Sequence, residues 1–141
     1  MKALALILFL LGAHTHETAP ELADAIDTVC DGDRECVLDA VATCYVETRC
    51  QMHLCGSNGC GPFQQLARYV AHPSLVGYTN NTRRVLLAES PRFAAEQWKI
   101  KRDKYKARHG DAWPRRYNGS DRAEEYLQHW RRVRARAERL K

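Results

Sequence analysis

The sequence predicts a small, mainly α single domain with one disulfide-pinned loop or short β-hairpin. Apolar residues recur at helical spacing in several separate stretches. All six cysteines, at positions 30, 36, 44, 50, 55 and 60, crowd into one short window. Within it Gly56, Gly59 and Gly61 alternate with Cys55, Cys60, Ser57 and Asn58, a composition that favours turns over helix.

The chain opens with Met1 and Lys2, runs through apolar Ala3 to Leu11, and closes that run on Gly12 and Ala13. A positive start, an apolar middle too short to anchor in a bilayer and small residues near a cut are the layout of a secretory signal peptide. Residues 1–19 are therefore expected to be a signal peptide with an open cleavage site, and residues 20–141 the domain. The expected location is secreted or periplasmic. An even, clustered cysteine set in an exported chain reads as a disulfide framework, its pairing open from spacing alone. A zinc site using these thiols and His53 lacks the CxxC pairs that seat two thiolates on one ion, so no metal and no cofactor are expected. With about 120 residues left, the core is small, and bridges add what burial does not.

The first helix is expected from Pro20 to about Cys30, with Leu22, Ala23, Ile26 and Val29 on one side. Asp33 can cap a second, in which Val37, Leu38, Val41 and Ala42 repeat and Cys44 and Tyr45 extend the stripe, so that Glu47 falls at its end. Gln51 to Pro62 reads as the pinned loop or hairpin. From Phe63, the spacing of Leu66, Ala67, Tyr69 and Val70 predicts another helix, stopped by Pro73. Ser90-Pro91 starts a long amphipathic helix that runs to Gly110. A turn at Trp113-Pro114 and a break at Asn118-Gly119 lead to a last helix capped by Asp121, carrying Tyr126, Leu127, Trp130 and Val133.

The net charge of +5 is unevenly spread: acids crowd the front, while Lys and Arg dominate after Arg83. Arg131, Arg132, Arg134, Arg136, Arg139 and Lys141 form either a solvated helix face or a surface for anionic envelope polymers. A nucleic-acid partner is not expected, and the chain is expected to be a monomer.

Glu47 stands inside the cysteine-framed run CYVETRC, and no Asp or Glu follows it until Glu89. Acid/base chemistry in this stretch therefore falls to one carboxylate. Glu47 at a helix end, the loop residue Ser57, Gly61-Pro62-Phe63-Gln64 and Tyr117-Asn118-Gly119 together resemble the lytic transglycosylase domain of the lysozyme superfamily, over roughly residues 33 to 135. The chain departs from that family in Thr48 where a serine usually follows the glutamate, and in Gln65 where an apolar residue usually follows the glutamine, which leaves the glutamine register open by one. The cysteine frame and CGPFQ are similar to the invertebrate-type lysozymes. Those use a second carboxylate soon after the glutamate, where this chain has Asn58 and no acid.

Glycosidic cleavage needs an acid for the leaving oxygen and something to stabilise the oxocarbenium-like centre; with one carboxylate, a 2-acetamido sugar must supply the second function. The transglycosylase resemblance implies a lysozyme-like fold and cleavage of the MurNAc-GlcNAc β-1,4 bonds of peptidoglycan strands to 1,6-anhydro products. It implies Glu47 as acid and base, Ser57 and Gln64 holding the sugar or its acetamido group, Tyr117 over the site and Asn118 near the cleaved bond. Such an acid needs a raised pKa, for which Tyr45, Val46, Met52, Leu54 and Phe63 are the apolar candidates. The alternatives are a hydrolytic lysozyme and a non-catalytic, disulfide-stapled glycan-binding protein; Glu47 by itself also reads as an exposed carboxylate paired with Arg49.

Overall fold

A computed structural model describes residues 2–57, 59–70, 77–118 and 121–140. Its order is α1 (Ala3–Leu11), α2 (Ala19–Cys30), α3 (Arg34–Thr48), the strands β1 (Cys55–Gly56) and β2 (Gly59–Cys60), then α4 (Asn80–Glu89), α5 (Pro91–His109), α6 (Trp113–Asn118) and α7 (Ala123–Glu138). The chain is mainly α, with a two-stranded antiparallel hairpin as its only sheet among the described residues. No helix among them is long and apolar enough to cross a membrane.

Helix α3 is the axis of the molecule. Asp33 caps it, its carboxylate accepting from the Cys36 N–H at 3.2 Å. Every residue from 36 to 45 is buried, because α1, α2, α5 and α7 pack around it. The sequence suggests a one-sided stripe; the structure encloses the helix, Asp39 included. Asp39 is accommodated by charge pairing: its Oδ2 accepts from Arg102 Nε and Nη2 at 3.0 and 2.7 Å, and its Oδ1 from Arg134 Nε at 2.7 Å. One carboxylate thus ties α3 to α5 and α7. Arg134 also pairs with Glu35 and Glu138, so it belongs to the fold, whereas Arg131, Arg132, Arg136 and Arg139 face solvent.

The N-terminal apolar run forms a helix of the core. Ala3, Leu6, Ile7, Leu10 and Leu11 are buried against α2, α3 and α7, and the Ala3 N–H donates to Asp27 Oδ1 at 2.8 Å.

All six cysteines are paired with the nearest neighbour along the chain: Cys30 with Cys36, Cys44 with Cys50, and Cys55 with Cys60. The first joins the end of α2 to the start of α3, the second locks the end of α3, and the third crosses the hairpin. Three bridges of this kind fit an oxidising compartment.

Several boundaries differ from the sequence expectation. No α-helix starts at Phe63. Gln64 is left-handed at φ 48°, and Gln65 exchanges both backbone hydrogen bonds with Cys60 at 2.9 and 3.1 Å. Those groups are then not free for a helical ladder, and only a 3-10 turn, Ala67–Tyr69, follows. The expected stop at Pro73 lies outside the described residues. Helix α4 escapes periodicity because Val85 to Ala88 are consecutive apolar residues, of which only Leu87 and Ala88 are buried; Thr79 caps it through the Thr82 N–H. Trp113-Pro114 opens α6, where a proline in the first turn forfeits no helical hydrogen bond. The last helix begins one residue too late for Asp121 to cap it; Arg122 holds that place without a side-chain cap. Ser90 and Pro91 do start α5, the serine accepting from the Phe93 N–H at 3.1 Å.

Candidate active site

Glu47 lies in the last turn of α3, and the chain beyond it reverses sharply. Arg49 and Cys50 are left-handed at φ 58°, the Cys50 N–H reaches back to the Cys44 carbonyl at 2.9 Å, and the Cys44–Cys50 bridge closes the same turn. Thr48 fixes the next layer: its hydroxyl donates to the Pro62 carbonyl at 2.9 Å and accepts from the Gln51 N–H at 3.2 Å. The helix end is thereby fastened to the Gly61-Pro62 turn. That turn requires glycine, since Gly61 sits at φ 80° and a Cβ there would lie 1.9 Å from the Leu87 carbonyl oxygen.

Glu47 does not pair with Arg49, whose guanidinium lies over the Tyr45 ring, 4.4 Å from its centroid. Its partner is Tyr126 on α7, which donates to Glu47 Oε2 at 3.1 Å. Burial raises the Glu47 pKa from 4.5 to about 7, against the opposing pull of the Tyr126 hydroxyl and the Lys101 ammonium. Lys101 on α5 is itself held below its ordinary pKa by burial, with Glu47 working the other way. Its ammonium lies 4.1 Å from the Tyr117 ring centroid and 5.7 Å from that of Tyr105, a cation held by aromatic faces. Among the described residues no second carboxylate contributes to the Glu47 shift. A carboxyl group near pKa 7 can give up a proton and take one back at neutral pH.

Tyr117 is buried at the end of α6, donates to the Phe63 carbonyl at 2.7 Å and feels the Glu47 charge. Tyr45, Met52 and Phe63 are buried near the turn as the apolar setting requires, Val46 is half-buried, and Leu54 is exposed. Ser57 is exposed at the hairpin tip, and no hydrogen bond to Glu47 joins the two. The Gln64 amide donates to the Leu54 and Gly61 carbonyls at 3.3 and 3.0 Å, which holds the hairpin rather than an open cleft. Gln65 is the inward member of the pair, buried and donating to the Ala94 carbonyl at 3.1 Å. Asn118 closes α6; its side chain, with Gly119 and Ser120, lies outside the described part of the structure. His53 is engaged with Glu89 at 2.7 Å.

Sequence reasoning missed Tyr126 and Lys101 as site residues. The stripe Tyr126, Leu127, Trp130 and Val133 already turned Tyr126 inward but read as core. Lys101 carried no signal, because it stands in a run of charged residues on a solvated-looking helix.

No protein-family model, curated protein or solved structure matches this chain.

Proposed function

We propose that this protein is a peptidoglycan-cleaving lytic transglycosylase in which Glu47 serves as the single acid and base. The observation that carries the reading is a half-buried carboxyl, with no second carboxylate acting on it among the described residues, whose pKa is raised to about 7 and which faces a tyrosine hydroxyl and an ammonium. Protonated Glu47 gives its proton to the leaving glycosidic oxygen. The substrate's acetamido oxygen covers the anomeric carbon, as a one-carboxylate site requires. The carboxylate so formed is stabilised by the Tyr126 hydroxyl and Lys101, then takes the proton of the sugar's own 6-hydroxyl. Its oxygen closes the 1,6-anhydro ring, Glu47 is protonated again and no water is consumed. Tyr117 walls the site, while the exposed Ser57 and the backbone-bound Gln64 contribute less than the motif suggests. Localisation to an oxidising, extracytoplasmic compartment belongs to the same reading, and the three bridges are consistent with it.

The deciding experiment is mass spectrometry of purified peptidoglycan after incubation with the oxidised protein and with Glu47→Gln. Anhydro products from the unmodified protein alone support the proposal. Fully hydrated products would make it a hydrolase, and binding without cleavage by either form would leave a glycan-binding protein.

A further inference from the structure

A pocket of about 170 Å³ adjoins the Glu47 site, lined on its polar side by Gln65, Gln97, Lys101, Lys104 and Tyr105. Lys101 is common to both, since its ammonium acts on Glu47 while its side chain lines the pocket. Gln65 is already bonded to the Ala94 carbonyl and Lys101 lies over the Tyr117 ring, but Gln97 and Lys104 are short of partners. Gln97 is 4 % exposed, and among the described residues its side-chain amide has no hydrogen-bond partner. Neither Lys101 nor Lys104 forms an ion pair among the described residues, although i,i+4 pairs such as Lys99–Asp103 satisfy the neighbouring face of the same helix. The amide is not a buried unsatisfied group, so what exposure Gln97 keeps is at its polar end, where a ligand group or an ordered water can meet it. Leu66 and Ile100 add an apolar wall. Two further charged pockets, around Asp39 and Arg134 and around Arg92, Glu96, Lys99 and Asp103, are already neutralised by their own ion pairs.

Two cations, an open amide and an apolar wall beside a sugar-cleaving carboxyl select an acyl branch that ends in a carboxylate. We infer that this pocket is a subsite for the carboxylate-bearing substituent of an amino-sugar substrate, with Lys104 and Lys101 meeting the anion and Gln97 its carbonyl or amide. This rests on the reading of Glu47 as the cleaving group. An anion seated beside Lys101 also offsets the charge that favours the Glu47 carboxylate, so it favours the protonated acid.

Isothermal titration of the full-length, oxidised Glu47→Gln protein tests this, with three oligosaccharides of equal length as probes. One is a chito-oligosaccharide, one a GlcNAc-MurNAc oligomer with its free lactyl carboxylate, and one the same oligomer carrying a dipeptide. The dipeptide form is expected to bind about tenfold tighter than the chito-oligosaccharide, charge-assisted hydrogen bonds being the strong ones. Lys104→Ala, an exposed position, and Gln97→Leu should each shrink that gap. A gap already complete with the lactyl form supports an anion subsite and assigns the anion to the lactyl group. Equal affinities across the three probes, or a gap that Lys104→Ala leaves intact, would overturn the inference. Anhydro products alongside equal affinities sink the subsite alone; the gap without any cleavage by the unmodified protein sinks the enzyme reading alone.

Discussion

Burial and two polar neighbours pull Glu47 in opposite directions, and burial wins: its pKa rises to about 7 although Tyr126 and Lys101 both favour the carboxylate. A raised carboxyl pKa means that the folded protein binds the proton more tightly than the unfolded chain does. The associated stability is complete below pH 4.5 and is lost as the pH rises through about 7. The gap between those values corresponds to about 3 kcal/mol. Glu47→Gln should therefore be more stable than the unmodified protein at pH 8 by up to that amount and indistinguishable at pH 4, as urea titrations at both values would record; equal stability at pH 8 would contradict the burial of a charge. Tyr126→Phe removes a group that lowers the Glu47 pKa, so the alkaline limb of the rate profile should move to higher pH. It also removes a hydrogen bond to the carboxylate, and kcat should fall about tenfold.

Helix α1 raises a question of maturation that α2 to α7 do not. A chain that begins at Pro20 lacks Leu6, Ile7, Leu10 and Leu11 from the core. Each such side chain contributes on the order of 1.5–3 kcal/mol by burial, an upper range because unfolded chains also hide apolar surface. Removal also bares an apolar groove between α2, α3 and α7. The shortened protein should melt more than about 5 °C below the full chain and bind an apolar dye. Matching melts would mean that α1 adds nothing to the domain. At the other end of the site, the Phe63 segment shows why apolar spacing alone misplaced a helix. Its period was suitable, but the Cys60–Gln65 bridge and the left-handed Gln64 committed its backbone elsewhere.

Across the whole molecule, the buried carboxylate of Asp39 joins helices that are far apart in the chain. Arg102 and Arg134 both converge on it, with Lys106 at 3.8 Å. A buried ion pair is weak evidence of net stabilisation, yet removing one partner leaves the others uncompensated. Asp39→Asn should cost about 3–5 kcal/mol in equilibrium unfolding. A loss below about 1 kcal/mol would mean that water reaches the cluster and screens it. Because α3, α5 and α7 also carry Glu47, Lys101 and Tyr126, the same variant should weaken the proposed cleavage even though Asp39 is not part of the site.

The sequence by itself determined the helical class, the caps at Asp33 and Ser90, a cysteine-pinned loop or hairpin and the isolation of Glu47 at a helix end. These are local properties, set by spacing, by capping chemistry and by the absence of nearby acids. Tertiary structure alone decided the cysteine pairing, the choice of Gln65 over Gln64 as the inward glutamine, and the burial of α1 against the core. It also brought Tyr126 and Lys101 to Glu47 from helices 79 residues and 54 residues (101 − 47) away. Periodicity reports which side of a helix faces inward, but not which residue it will meet there; that depends on how α5 and α7 cross α3, and so on the packing of the entire core.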